Sequence, residues 1–256
     1  MTAYPRCTNS VRSSLFFLFF VLAAATSWSQ QEIYTNRLAI GIAIEADDEA
    51  GLARIAENGG NLEQPNLFGL TPLMEAAQAG SPKCAQFLIA HGVKLNAAGS
   101  EGFTAVYYAV YVDPADPSQN DPTYFRRRAE VLKQLLTAGA QFSQTFWSAR
   151  GFGLVHIAVL SGNLPCLEVL VSSGAPIDAV DAFGETPLMI AASQGYLPVV
   201  RFLVDSGADK SLETVGGRNA FDYASDWPQV GDYLRSVGLG PGSYQRQLDR
   251  AFGGSP

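Results

Sequence analysis

Few side chains in this chain have the type and spacing to do chemistry. General acid–base or metal work would fall to His91 and His156, and thiolate work to Cys84 and Cys166. Three carboxylates, Asp113, Asp116 and Asp121, crowd a Pro-rich stretch, where one could act as acid and another as base in a carboxylate-dependent hydrolase. They lack the ligand spacing of a calcium loop, so no metal site is expected. No nucleophile elbow, zinc-protease helix, paired C-x-x-C or phosphate-cradling loop is present. Gly238, Gly240 and Gly242 follow no strand and read as part of a flexible tail over 239–256. The chain is therefore expected to be no enzyme and to need no cofactor. Its function has to be sought in the elements that hold these residues.

Those elements repeat. Asn66-Leu-Phe-Gly-Leu-Thr-Pro-Leu-Met-Glu-Ala-Ala and Asp181-Ala-Phe-Gly-Glu-Thr-Pro-Leu-Met-Ile-Ala-Ala are near copies. Gly69, Gly102, Gly151, Gly184 and Gly217 lie 33, 49, 33 and 33 residues apart, and Gly92, Gly139, Gly174 and Gly207 keep step with them. An insertion of 14 residues, Val112 to Phe125, accounts for most of the 16 by which the one long interval exceeds 33 (49 minus 33). In two of the units a Thr-Pro pair, Thr71-Pro72 and Thr186-Pro187, suits a helix start, with threonine as cap and proline at the first helical position. Gly80, Gly162 and Gly195 then end a short apolar helix. A second helix, such as the one carrying Cys166, Leu167 and Leu170, stops before Gly174. Neither helix buries its apolar face alone, so neighbouring units must stack.

Thr71-Pro72-Leu73, Thr186-Pro187-Leu188 and Leu154-Val155-His156-Ile157-Ala158, at this period, resemble the ankyrin-repeat signature. The likeness extends from about residue 35 to Gly238 and is similar to that of exported bacterial ankyrin proteins, some of which protect or assist envelope enzymes. It implies an all-α solenoid of about six helix-turn-helix repeats joined by β-hairpin-like turns, with the repeat domain over 30–238. It also implies that His156 bridges repeats by hydrogen bonds. Glu45, Asp47, Asp48 and Glu49 suit a polar front cap, and Asp222, Asp226 and Asp232 a polar back cap. Cys84 and Cys166 share one register position two repeats apart. Stacking steps of about 8–10 Å put them roughly 20 Å apart, too far for a disulfide, so they are expected as core thiols.

The resemblance places a concave groove at the turn tips and first-helix ends, lined by Leu67, Phe68, Leu70, Gln78, Glu101, Phe103, Tyr111, Arg150, Phe152, Leu160, Phe183, Glu185, Ser193, Arg218 and Trp227. Phe68, Phe103, Tyr111, Phe152 and Phe183 would form an aromatic ladder for another protein; alternatively, these rings pack against neighbouring turns. The insertion carries Asp121-Pro122 as a candidate cap for a longer second helix, and its acids stand as solvated compensation for Arg126, Arg127 and Arg128.

The first residues fix compartment and partner. Arg6 and Arg12, the apolar run Leu15 to Ala25 and the small residues after it form a signal-peptide pattern over 1–29, with cleavage after Ala25 or Ser29. The run falls short of the roughly 20 apolar residues that span a bilayer, although an uncleaved anchor is the rival reading. The formal net charge of −7 becomes about −9 once the two arginines leave (−7 minus 2). That balance disfavours nucleic acid and membrane surfaces and favours a neutral or basic protein partner, met by a secreted or periplasmic monomer. An inhibitor or immunity-type protein that occludes a toxic enzyme is the second functional expectation.

Overall fold

In the computed structural model, residues 28–113, 121, 123–142 and 150–252 are described, and among them thirteen helices form six stacked pairs and a last single helix. The pairs are α1 (Trp28–Glu45) with α2 (Glu49–Glu57), α3 (Pro72–Ala79) with α4 (Pro82–Ala90), and α5 (Ala105–Val110) with α6 (Tyr124–Thr137). After them come α7 (Leu154–Leu160) with α8 (Leu164–Ser172), α9 (Pro187–Ser193) with α10 (Leu197–Asp205), and α11 (Ala220–Tyr223) with α12 (Pro228–Ser236). First helices pack on first helices along the stack, and second helices form the other layer. Apart from α1, each helix is too short to be stable in isolation, so the buried seam between layers holds it. Along α8 that seam is Cys166, Leu167 and Leu170, each fully buried. A buried leucine of this kind contributes about 1.5–3 kcal/mol.

Local chemistry sets the boundaries. Thr71 and Thr186 cap α3 and α9, each hydroxyl accepting from a backbone N–H three residues on, Met74 and Met189, at 3.3 Å. The two methionine sulfurs accept weakly from the cap N–H at 3.4 Å. At the equivalent place His156 does more. Its Nδ1 accepts from Gly153 N at 3.2 Å, and its Nε2 donates to Glu185 O of the next repeat at 3.2 Å, the bridge that the resemblance implies. Burial holds the imidazole pKa below its ordinary value, which keeps it neutral for both bonds.

The cysteines confirm the register. Cys84 Sγ donates to Ala43 O and Cys166 Sγ to Ala109 O, each reaching the first helix of the preceding repeat. Both thiols are free and buried, and burial pushes each up to about 12, which removes them as nucleophiles. The turns are hairpin-like: Asn66, Gly99, Asp181 and Thr214 each donate to the carbonyl four residues on, at 2.8–3.1 Å.

Three expectations change. Arg128 does not stand in solvent but is 1% exposed. Asp121 does not cap α6; it accepts from Thr123 N and Thr123 Oγ1 and pairs with Arg127 at 3.1 Å, so it compensates Arg127. The segment expected as a flexible tail carries α13 (Ser243–Phe252). Glu213 accepts from Ser243 N at 2.9 Å, Gly217 O accepts from Tyr244 N at 2.9 Å, and Asp222 accepts from Gly242 N at 3.0 Å. Asp222 is thereby a turn anchor rather than part of a polar outer face. The signal-peptide pattern lies outside the described residues except for Trp28 and Ser29, which open α1.

Candidate partner-binding tips

The five turn glycines, Gly69, Gly102, Gly151, Gly184 and Gly217, all have positive φ, which reverses the chain at each tip. What flanks them divides sharply. The residues before the glycine, Phe68, Glu101, Arg150 and Phe183, are exposed, as is Leu67 beside Phe68. The residues after it turn inward at four tips, where Leu70 and Phe103 are buried and Phe152 and Glu185 partly so, while Arg218 after Gly217 is exposed.

Phe103 is thus no partner contact. It immediately precedes the α5 cap Thr104, and its ring stacks on Tyr107 at 3.9 Å and meets Tyr108 edge-on at 6.1 Å, as a hydrophobic staple fixing the helix entry. Leu70 likewise is buried directly before the cap Thr71. Tyr111 continues the column from Tyr107 at 5.4 Å and is half-buried. The aromatic ladder therefore breaks in the third repeat, leaving Phe68 and Phe183 as its exposed rungs. Of the first-helix ends, Leu160 and Ser193 are exposed and Gln78 is half-buried. Trp227, also exposed, donates from Nε1 to Ser193 O at 2.9 Å.

Numbered by repeat, so that Gly184 marks the fifth tip and Gly217 the sixth, the fifth tip is built around an ion network. Asp181 is buried, and its Oδ1 accepts from Phe183 N and Glu185 N at 2.8 and 2.9 Å. Asn66 organises the second-repeat tip in the same way. Arg150 reaches across from the preceding tip, with Nε 3.4 Å from Asp181 Oδ2 and its terminal nitrogen 2.7 Å from Glu185 Oε2. The guanidinium lies over Phe152 at 5.1 Å and Phe183 at 4.8 Å. Tyr223 donates to Glu185 Oε1 at 2.6 Å; burial and that carboxylate push its phenol up to about 12, so it stays a donor. Arg218 stacks over Tyr223 at 5.3 Å. Between the fifth and sixth tips opens a hollow edged by Phe183, Thr214, Val215 and Tyr223.

Two further constellations escaped the sequence reading. Arg37 of α1 pairs with Glu75 at 2.5 Å, and Asn66 Nδ2 donates to the other Glu75 oxygen. Burial nevertheless raises the Glu75 pKa above its ordinary value. Arg128 of α6 donates to the carbonyls of Tyr108, Ala109 and Tyr111 at the end of α5, to Gln78 O at the end of α3, and to Tyr124 Oη. The first helices α3, α7 and α9 close on a left-handed glycine, Gly80, Gly162 and Gly195, whereas α5 runs into the insertion through an extended Tyr111. Its last carbonyls need another donor, and Arg128 supplies it. No signal short of the fold distinguishes Arg128 from its neighbours Arg126 and Arg127.

Among the described residues no group of three or more histidine, cysteine or acidic side chains is placed to hold a metal ion. No described helix is long and apolar enough to cross a membrane.

A family model for ankyrin repeats (3 copies) matches residues 40–116 and 123–232. Protein phosphatase 1 regulatory subunit 27 of Homo sapiens is 50% identical over 67 residues, 26% of this chain and 44% of that protein. The chain spans less than half the length of this and other curated relatives it matches, the Mus musculus B-cell lymphoma 3 protein homolog among them at 30%. Among solved structures it resembles a chain of the Bd0816 predatory endopeptidase from Bdellovibrio bacteriovorus in complex with immunity protein Bd3460. That match has a TM-score of 0.60 and 26% identity, over 77% of this chain and 97% of that one. The ankyrin repeat domain of Bcl-3 shares the fold, with a TM-score of 0.63 and 23% identity over 79% of this chain and 86% of that one. Period, two-layer stack and family match agree, and the chain belongs to the ankyrin-repeat family.

Proposed function

We propose that this chain is a non-enzymatic scaffold of the cell envelope that captures another protein along its row of turn tips. Ankyrin repeats imply protein binding, and the observation that carries the finer reading is the exposure of Leu67, Phe68, Phe183 and Val215 at tips whose backbones are fixed by Asn66, Asp181 and glycine. Exposed apolar side chains on fixed tip backbones are what an interface uses. The compartment rests on the N-terminal pattern of Arg6, Arg12 and Leu15 to Ala25. The partner's neutral or basic character rests on the formal charge of −7.

The test is affinity capture from an envelope fraction with the full chain and with Phe68→Ser combined with Phe183→Ser. Capture is expected to be lost while the far-UV circular dichroism stays helical; undiminished capture would overturn the reading.

A second reading, an inhibitor of the immunity type, is favoured by the likeness to a chain of the solved endopeptidase–immunity protein complex. It requires that the captured protein be an enzyme and that the chain abolish its activity at stoichiometric ratio. Full activity in the complex excludes it.

A further inference from the structure

We infer that the hollow between the fifth and sixth tips seats one uncharged apolar side chain, aliphatic or aromatic, presented by the partner protein. This rests on the protein-binding reading above and names what that site recognises.

The charged side chains that line the hollow, Arg150 and Glu185, are already paired with each other. Arg150 is engaged by Asp181 and Glu185. Glu185 has one oxygen on Arg150 and the other on the Tyr223 hydroxyl. The Asp181 side chain has no solvent access at all. An incoming cation or anion would have to displace one of these partners and leave a charge half-buried without it. An apolar group displaces nothing. It also covers the surface that gains most from being covered, since Val215 is 97% exposed and Phe183 56%.

The walls are set before any partner arrives. Phe183 is backed by the Arg150 guanidinium, itself shared with Phe152. Tyr223 is held between Glu185 and Arg218. Val215 rides a turn closed by Thr214 N to Arg218 O and by Gly217 N to Thr214 O, both at 2.8 Å. A preformed seat loses little freedom on binding, which is how an anchor residue comes to dominate an interface. A seat whose one ion pair is matched internally, with Phe183 and Val215 at its edge, is complementary to a neutral side chain.

The experiment is an NMR titration of the full-length chain, labelled at methyl and amide groups, with four small probes. N-acetyl-leucinamide and N-acetyl-tryptophanamide are the neutral apolar ones; N-acetyl-argininamide and acetate carry the two charges. The neutral probes are expected to give saturable shifts at the Val215 methyls, the Gly216 amide and the Phe183 ring. Val215→Ser, a change at a side chain free of packing, should lose most of that shift while the rest of the spectrum is unmoved. Larger shifts of the same signals with either charged probe, or none with any probe, overturn the assignment. Capture of the partner through the tips is read separately, so a failed titration with intact tip-dependent capture removes the anchor seat and spares the protein-binding reading.

Discussion

Arg128 and Phe103 show how far a residue's role depends on what the chain does one helix away. The arginine triplet 126–128 reads as solvated charge in sequence, and Arg127 behaves so, with its exposed pair to Asp121. Arg128 instead closes α5, where an insertion has removed the usual glycine. Arg128→Met is expected to cost about 3–5 kcal/mol, because each buried carbonyl left without a donor costs about 1–3 kcal/mol. Arg128→Lys should recover little of that, since a single ammonium cannot reach two helix ends at once. Urea denaturation checks both. Phe103 was legible in hindsight: it stands directly before a Thr cap, the staple position, and so did Leu70. At four of the five tips the leading flank faces outward and the trailing flank inward; Arg218 after Gly217 is the exposed exception.

His156 carries a pH prediction of its own. Its folded pKa lies below the ordinary 6.5 because burial disfavours the imidazolium. The unfolded chain therefore takes up a proton that the folded chain refuses. Stability is whole above the unfolded pKa and declines as pH falls through about 6.5 toward the folded value. His156→Gln should flatten this decline in urea midpoints measured from about pH 8 to about pH 5. Glu75, raised by burial, acts with the opposite sign: its contribution is present at low pH and lost as pH rises through its folded pKa.

At the scale of elements, the period and the glycine series announce helix pairs, hairpin tips and a shared cysteine register, and the structure shows all of them. Boundaries set by backbone conformation were readable because only glycine takes the left-handed turn without strain. Gly195 is the sharpest instance, with φ +70° and the Trp227 indole within 2.3 Å of where a Cβ would stand. Gly195→Ala should cost roughly 2 kcal/mol from the backbone alone and more from the displaced indole. It should also shift Trp227 fluorescence, since that side chain caps the Ser193 carbonyl. A lowered midpoint with unchanged tryptophan emission would place the damage elsewhere. Asp181, Asn66 and Glu213 were not readable in this way. Each acts through a hydrogen bond whose acceptor role depends on a neighbouring turn, and short polar residues in loops look alike until the turn is built. The helix after Gly242 was missed for the same reason: its start is fixed by Glu213 of another repeat.

For the molecule as a whole, stacked repeats present equivalent positions in a row, so a partner meets the tips together and the second-helix layer separately. The central claim is that the tips, and not the other layer, carry the contact. Site-specific photocrosslinking tests it most directly, with benzoylphenylalanine placed at 68 and 183 on the tips and at the exposed second-helix positions Glu168 and Ser172. Both tip positions are expected to trap the same protein from the envelope fraction while 168 and 172 trap nothing. Crosslinks from 168 and 172 with none from the tips would contradict the account.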